Sequence, residues 1–293
     1  MPSSTETAPI VDAGLAAASV PAPGSTPIVG SAVATGHRLL QADEPPPFTA
    51  TGLDGTSNFV IVVDHASRRI PRRLAGLGLP PQELERHIAW DIGALEVARR
   101  MAAALDAPLV AQNYSRLVID CNRDPQVPAA IVQVSEYTAV PGNADLGPAE
   151  IAARHADIFA PYHACIAALL EARQAAGRRT ILVAQHSMTP VLKGVSRPMH
   201  AAVLYNRDRR FAGLVLEELR REAALVIGDN EPYFVSDATD FTIPHHGERR
   251  GLPHVEIELR QDLISAAPGQ EEWAQRLVRV LRAAEQEFLE RSA

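Results

Sequence analysis

Two histidines follow apolar runs that are typical of buried β-strands. His65 comes two residues after the run at 59–63, and His186 comes two residues after the run at 180–184. Imidazole nitrogens and carboxylate oxygens are the usual ligands of catalytic zinc, which takes three protein ligands and leaves one position for water. Zinc lowers the pKa of that water to about 7, and a neighbouring carboxylate can then act as general base. The strand ends therefore offer the groups that a catalytic zinc site needs.

A run near the end of the chain alternates apolar and ionisable residues. Because strand side chains alternate between two faces, residues 255, 257 and 259 point into apolar packing while their neighbours share the other face. A strand with four ionisable groups on one face either lies at an exposed edge or lines a cleft. These four residues are His254, Glu256, Glu258 and Arg260.

Two arginines lie close together in the segment at 115–124. Arg116 precedes a short apolar run, and Arg123 follows Asn122 directly. A guanidinium can polarise a carbonyl oxygen or pair with a carboxylate through two parallel hydrogen bonds. These side chains are therefore candidates for binding an anionic substrate.

Each of these signals also has an ordinary structural interpretation. A single histidine at a strand end is more often a hydrogen-bonded structural residue, and Glu258 with Arg260 can form an ion pair along one strand. His163 on a predicted helix fits a plain helix surface equally well, and a solvated polar turn is the favoured interpretation of His246. The functional hypothesis depends on several such residues meeting at the strand ends of one sheet.

Composition excludes several classes of protein. The chain has 293 residues, a net charge of -7 and a pI of about 5.8, which argues against a nucleic-acid partner. No apolar run approaches the ~20 residues that span a bilayer. The first basic residue is Arg38, so the mildly apolar stretch at 10–22 lacks the positive segment of a secretory signal. Two cysteines are too few for a disulfide framework, and we expect a cytoplasmic protein without a membrane partner.

The beginning of the chain differs from the rest. Residues 1–50 hold 8 of the 23 prolines and a single basic residue. This composition predicts a disordered tail at 1–36, because it offers too little apolar surface to offset the entropy of ordering. We expect residues 37–293 to form a single α/β domain.

Short apolar runs alternate with helical patterns from residue 58 onward. This alternation predicts a three-layer α/β sandwich with a mostly parallel central sheet, whose site lies at the carboxyl ends of the strands. The expected strands are at 59–63, 109–111, 117–119, 180–184, 201–205, 224–227 and 255–259, and the expected helices are at 88–105, 148–176, 208–221 and 270–291.

Five ordered blocks resemble the N-formylglutamate amidohydrolase family over about residues 55–290. At a greater distance, that family is similar to the zinc carboxypeptidases and aspartoacylases, whose phosphorylase/hydrolase-like fold the resemblance implies. The blocks read Asp64-His65-Ala66-Ser67, the run at 87–94, the run at 115–123, Gln185-His186-Ser187-Met188-Thr189-Pro190, and the run at 254–262.

The resemblance implies a role for each candidate residue. His65 and His186 bind one zinc ion, Glu258 is the general base, and Arg116 or Arg123 holds a carboxylate or polarises the carbonyl. The carboxypeptidase-like His-x-x-Glu motif is interrupted, because Arg68 stands where a glutamate ligand is expected. Asp91 is the preferred replacement, and Asp64 is the alternative, although strand alternation turns it away from His65. Further substrate-binding candidates are Asn122, Arg123, His163, His246 and Arg260.

The implied reaction is hydrolysis of a linear amide on a small anionic substrate. The resemblance favours N-formyl-L-glutamate, which gives formate and glutamate in histidine breakdown. Two alternatives stay open: an N-acyl-amino-acid or carboxypeptidase-like hydrolase that takes another acyl group, and a metal-free member that only binds an acidic ligand. The sequence leaves the oligomeric state undetermined.

Overall fold

The computed structural model describes residues 38–291, and the tail predicted at 1–36 lies outside them. The strands are, in chain order, β1 Phe48–Thr51, β2 Phe59–Val63, β3 Leu109–Gln112, β4 Val134–Ser135, β5 Thr138–Ala139, β6 Ile181–Met188, β7 Val191–Leu192, β8 Val195–Ser196, β9 Ala201–Leu204, β10 Ile227–Asp229 and β11 His254–Arg260.

Helices alternate with the longer strands. Between β5 and β6, α3, a π-helical segment at His155–Phe159 and α4 follow one another without a break. A second π-helical segment spans Ile243–Gly247. Among the described residues no helix is long and apolar enough to cross a membrane. The α-helices are α1 Pro81–Leu84, α2 Ala94–Leu105, α3 Pro148–Arg154, α4 Ala160–Ala175, α5 Arg210–Arg220 and α6 Ala267–Arg291.

Within residues 38–291, seven strands form one mixed sheet in the order β1-β3-β2-β6-β11-β9-β10. The central strands β3, β2, β6 and β11 are parallel to one another. β1 pairs antiparallel with β3, and β9 pairs antiparallel with β11. β4 with β5 and β7 with β8 form two separate hairpins. The predicted α/β architecture with a mostly parallel sheet is confirmed.

Both faces of the sheet are covered by helices. Ile61 and Val63 of β2 pack in an apolar cluster with residues of α2, α5 and α6. Val60 and Val62 point the other way and pack with residues of α4. This is why β2 is an unbroken apolar run: a parallel strand that is buried on both sides has no polar face. The sheet that carries the site is therefore packed on both faces.

The structure corrects three of the predicted elements. Leu117–Ile119 is not a strand: these residues lie in a turn, in which Leu117 N donates to Ser115 Oγ and Val118 N to Ser115 O. The helix expected at 88–105 begins only at Ala94, because Gly93 has a positive φ of 80°. The strand expected at 224–227 is displaced and spans Ile227–Asp229.

Candidate active site

A cleft of about 330 Å³ opens at the carboxyl ends of the central parallel strands. Its walls come from the segments after β2 and β3, from the ends of β6 and β11, and from the loop at 232–240. This is where an α/β sheet with parallel strands is expected to carry its ligand site. The residues that line the cleft are His65, His87, Asp91, Arg116, Asn122, Arg123, His186, Ser187, Met188, Thr189, Leu204, Pro232, Tyr233, Phe234, Thr239, Asp240, Glu256 and Glu258.

Three buried side chains converge on one point at the base of this cleft. His65 Nδ1 lies 3.3 Å from Asp91 Oδ2, and His186 Nδ1 lies 2.9 Å from the same oxygen. One ligand atom from each of the three residues falls within 4.8 Å of the others. Tetrahedral zinc with bonds of about 2.0–2.1 Å places neighbouring ligand atoms about 3.3 Å apart. These residues, here called the His–Asp–His cluster, could therefore hold a metal ion.

Asp91 reaches the cluster from a loop and not from a helix. Asp91 N donates to His65 O over 2.9 Å, and Ser187 Oγ donates to Ile92 O over 2.9 Å, so this loop is fixed to the ends of β2 and β6. At Gly93 a side chain is impossible, because a Cβ would lie 2.1 Å from the carbonyl oxygen of Ile264. The sequence placed Asp91 at the start of a helix, which the structure corrects.

The far nitrogen of each cluster histidine faces another buried carboxylate. His65 Nε2 lies 2.7 Å from Asp120 Oδ1, and His186 Nε2 lies 3.3 Å from Asp64 Oδ2. Histidines that bind metals usually have such a partner, because it fixes the ring orientation and leaves the near nitrogen free for the metal. Asp64, the alternative ligand in the sequence analysis, thus lies on the far side of His186. Its Oδ1 accepts hydrogen bonds from Tyr162 and Thr242.

Buried carboxylates surround the two imidazoles of the cluster. Burial lowers the pKa of His186, but the carboxylates around it, those of Glu256 and Asp64 among them, outweigh burial and raise the pKa well above its ordinary value. Burial raises the pKa of Asp91, yet His65 and His186 outweigh it and hold the pKa well below its usual range. Two imidazoles surrounded by ionised carboxylates suit a bound divalent cation, so the donor set fits a metal.

Two glutamates of β11 stand beside this cluster. Glu258 pairs in register with His186 of β6, and Glu256 lies two residues earlier on the same strand face. Burial raises the pKa of Glu258 to about 7 and that of Glu256 well above its ordinary value. The Oε2 atoms of both lack a hydrogen-bond partner within the described chain. A carboxyl with a pKa near 7 can both accept and return a proton at neutral pH.

The arginines of the cleft differ in how far they are already engaged. Arg116 Nη2 donates to Asp120 Oδ2 over 2.6 Å, and its Nη1 lies 3.5 Å from Asp91 Oδ1. Arg123 lies 3.9 Å from Asp120 through its Nε. Arg116 is therefore part of the framework that holds the cluster. Arg123 has more donors available for a ligand.

Asn122 lines the cleft, but its amide also anchors the loop opposite. Its Oδ1 accepts hydrogen bonds from the backbone nitrogens of Phe241 and Thr242, each over 3.0 Å. Its Nδ2 donates to Asp240 Oδ1 over 3.2 Å. The side chain thereby fixes one wall of the cleft.

Three predicted substrate-binding residues lie outside the lining of the cleft. His163 and His246, here called the imidazole pair, are buried with 3.0 Å between His163 Nδ1 and His246 Nε2. Burial lowers the pKa of His163 to about 4 and that of His246 to about 2, so both are neutral. Arg260 lies at the end of β11 and forms an ion pair with Asp262 over 2.8 Å.

Several residues of the site escaped the sequence analysis. Asp120 belongs to the block at 115–123, but nothing in its spacing predicts its contact with His65. His87 stands in the block at 87–94 without an assigned role, yet it lines the cleft. Tyr233 and Phe234 line it from an irregular loop, and the one available signal was aromatic residues in an otherwise polar loop.

Comparisons with known proteins agree with this geometry. The model of the family described as N-formylglutamate amidohydrolase matches residues 57–265. A solved structure of gene product Atu2144 from Agrobacterium tumefaciens is 36% identical, with a TM-score of 0.83 over 85% of this chain and 99% of that one. N-formylglutamate amidohydrolase from Ralstonia eutropha JMP134 has the same fold at 22% identity, with a TM-score of 0.59 over 85% of this chain and 100% of its own. No curated protein matches the chain.

Proposed function

The chain belongs to the N-formylglutamate amidohydrolase family, and from this premise we propose that it is a zinc-dependent enzyme that hydrolyses N-formyl-L-glutamate to formate and L-glutamate. The observation that carries the proposal is the convergence of His65, Asp91 and His186 at the base of the cleft. In this proposal these three residues hold one zinc ion. Histidine breakdown in the cytoplasm is the setting that the family resemblance implies.

The chemistry needs a nucleophile and a polarised carbonyl group. A bound zinc ion supplies both requirements, since it acidifies water and withdraws charge from a carbonyl oxygen. The far-side carboxylates Asp64 and Asp120 keep the two imidazoles oriented with their near nitrogens towards Asp91. In this proposal the two imidazoles therefore need not reorient when the substrate binds.

Glu258 is the proposed general base and acid. It lies in register with His186 and lines the cleft, which places its carboxylate beside the His–Asp–His cluster. In this role it accepts a proton from the attacking water and returns it to the nitrogen of the leaving amine. Burial raises its pKa to about 7, which suits both transfers at neutral pH. Glu256 is held further down the same strand face.

Arginines recognise the substrate in this proposal. Arg123 pairs with the α-carboxylate, and Arg116 stabilises negative charge on the carbonyl oxygen while it holds Asp120. Asn122 contributes by fixing the cleft wall. A cleft of about 330 Å³ lies at the small end of ligand pockets, which run from about 300 to 1,000 Å³, so a small substrate is favoured. The proposal gives no direct substrate contact to the three predicted residues outside the cleft lining, which are His163, His246 and Arg260.

A substrate panel tests this function. Zinc-loaded and chelator-treated protein would be assayed with N-formyl-, N-acetyl- and N-carbamoyl-L-glutamate, with release of free glutamate as the readout. We expect turnover of the N-formyl compound in the zinc-loaded protein and its loss after chelation. Preference for another acyl group contradicts the substrate assignment, and turnover that survives complete metal removal contradicts the metal-dependent mechanism.

A further inference from the structure

The apolar part of the cleft lining comes largely from one irregular segment. Among the described residues, five apolar side chains line the cleft, and Pro232, Tyr233 and Phe234 supply three of them. The other two are Met188 in β6 and Leu204 in β9. The rest of the lining is polar or charged. Apolar side chains that border a charged cleft are suited to excluding water from it.

Residues 231–234, here called the aromatic segment, form no backbone hydrogen bond with any other described residue. The segment follows β10 after Asn230, and at Pro232 there is no N–H group to donate. Its backbone groups are therefore left to bond with water. A segment with so few internal bonds shifts at a low cost in free energy, whereas the backbone of a central strand does not.

Both ends of the aromatic segment are fixed to the fold. Before it, Tyr205 N donates to Asn230 Oδ1 over 3.0 Å. After it, Val235 is buried at 2% exposure, and Ser236 N donates to Asp240 Oδ2 over 3.0 Å. Four residues without backbone bonds thus lie between two fixed ends at the side of the cleft. This is the arrangement of a short flap, in which a few residues next to the fixed ends absorb the movement.

The two rings of the aromatic segment differ in what they contact. The central guanidinium carbon of Arg197 lies 4.5 Å from the ring centroid of Tyr233, so this ring has a partner in the structure without ligand. Phe234 forms no such contact with another described residue and is 63% exposed, although it lines the cleft. Apolar surface in water gains free energy when it is covered. Phe234 is therefore the side chain with the most to gain from closing over a ligand.

We propose that the aromatic segment is a lid that closes over a bound substrate and turns the ring of Phe234 from water onto the mouth of the cleft. This inference rests on the proposed function and adds the step that closes the site during turnover. A filled cleft offers the ring a surface that an empty cleft lacks, so the substrate favours the closed state. Closure excludes bulk water, and the charges of the cleft then act more strongly on the substrate. The water molecule that reacts must be in place before the lid closes.

Hydrogen–deuterium exchange measured by mass spectrometry tests the movement itself. Zinc-loaded Glu258→Gln would be compared without ligand and with saturating N-formyl-L-glutamate, which this variant should bind without turnover. We expect a peptide that spans 231–235 to exchange about tenfold or more slowly with the ligand, because closure shields its amides. A peptide around Tyr137, which lies outside the cleft lining, should exchange equally in both samples. Equal exchange at 231–235 in a sample whose ligand binding is confirmed by calorimetry would overturn the proposal.

Phe234→Ala and Phe234→Leu test the ring, with Tyr137→Ala as the matched control. Tyr137 is 72% exposed and lies outside the cleft lining, so it is an exposed aromatic residue without the proposed role. We expect Phe234→Ala to lower kcat/KM for N-formyl-L-glutamate about tenfold, with kcat and KM both affected, and Phe234→Leu to recover most of the loss by restoring apolar bulk. Tyr137→Ala should stay within about twofold of wild type, and Tm should hardly change in any variant, since both rings are exposed. Wild-type kinetics in Phe234→Ala would contradict the lid.

The exchange measurement and the activity of wild type together separate the lid from the proposed reaction. Hydrolysis of N-formyl-L-glutamate by wild type, with unchanged exchange at 231–235 in the bound variant, removes the lid and leaves the proposed function standing. Slower exchange in the bound variant without hydrolysis by wild type supports the lid and contradicts the reaction. A protein that neither binds nor hydrolyses this compound contradicts both proposals.

Discussion

Two buried groups of histidines lie close together in this molecule and differ in their surroundings. In the His–Asp–His cluster, carboxylates of Asp91, Asp120 and Asp64 lie within 3.3 Å of the imidazole nitrogens. In the imidazole pair, His163 Nδ1 faces His246 Nε2 and His163 Nε2 lies 2.8 Å from the carbonyl oxygen of Cys121. The first group lines the cleft, and the second is enclosed by aromatic rings such as those of Phe159 and Phe241.

The difference shows that the partners of a histidine decide what it can do. Around His186 the carboxylates outweigh burial and raise the pKa, so this site attracts positive charge. Around His163 and His246 burial prevails and lowers the pKa of both rings, so this site excludes charge. A metal ion is therefore expected at the first group and not at the second, although both offer two imidazoles.

The largest effect should come from removing an imidazole of the first group. We expect His186→Ala to lower kcat for N-formyl-L-glutamate about 10³-fold or more, because a bound metal contributes several kcal/mol to such a reaction. The same change at His246 should lower kcat by less than about tenfold, acting only through packing. Steady-state kinetics on both variants measures these changes. An equal fall in kcat in the two variants would contradict the assignment of the metal to the His–Asp–His cluster.

Next in size is the effect of the proposed base. Glu258→Gln should lower kcat about 10²- to 10⁴-fold while metal content stays unchanged, because the group moves protons and does not hold the metal. Glu256→Gln should do less, since a residue two positions along the strand lies about 6.6 Å away. Kinetics with parallel metal analysis decides. An inactive Glu256→Gln beside an active Glu258→Gln would reverse the assignment.

The two aspartates nearest the histidines should differ in metal affinity. Asp91→Asn should weaken zinc binding by more than about 100-fold, because it removes a charged ligand atom. Asp64→Asn should weaken it only about 10- to 100-fold, as is usual for a residue that orients a ligand. Competition with a fluorescent chelator measures both constants. The reverse order would make Asp64 the ligand and Asp91 the orienting residue.

The smallest effect concerns stability in the imidazole pair. His246→Asn should cost about 1–3 kcal/mol of unfolding free energy at pH 7, because it breaks a buried hydrogen bond. In the unfolded chain both imidazoles take up protons below their ordinary pKa of 6.5. In the folded chain burial lowers the pKa of His163 to about 4 and that of His246 to about 2, so both rings stay neutral over a wider pH range. Wild-type stability therefore falls as the pH drops below 6.5, and the variant, with one such group fewer, falls less.

Urea unfolding in the presence of a chelator, at pH 7 and pH 5, checks this prediction. The gap in unfolding free energy between wild type and His246→Asn should narrow at pH 5. A difference in unfolding free energy that widens at pH 5 would contradict the prediction. It would show that the imidazole pair gains protons on folding, as the raised pKa of His186 implies for the His–Asp–His cluster.

The central strands of the sheet were predictable because a strand that is buried on both faces is a continuous apolar run in the sequence. Phe59–Val63 is a strand as its apolar run indicated, and the run at 180–184 begins a strand that continues to Met188. His65 after the first strand and His186 within the second meet in the cleft. Leu117–Ile119 has a similar apolar composition but lies in a turn, because the Ser115 side chain satisfies the backbone there. Local pattern cannot detect such a side-chain contact.

The site was only partly predictable, because local sequence patterns do not show which loops meet in the folded chain. His65 and His186 stand at strand ends, so the sheet itself brings them together. Tyr233 and Phe234 lie on an irregular loop that reaches the cleft only in the folded chain. His163 and His246 carry the right chemistry in the sequence, but the aromatic rings packed around His163 have no local signal.

Metal content measured directly on purified protein tests the central claim most sharply. Wild type, His186→Ala and His246→Asn would be expressed with zinc, desalted and analysed by inductively coupled plasma mass spectrometry. The account predicts about one zinc per chain in wild type and in His246→Asn, and close to none in His186→Ala. Full occupancy in His186→Ala, or loss of zinc in His246→Asn alone, would contradict it.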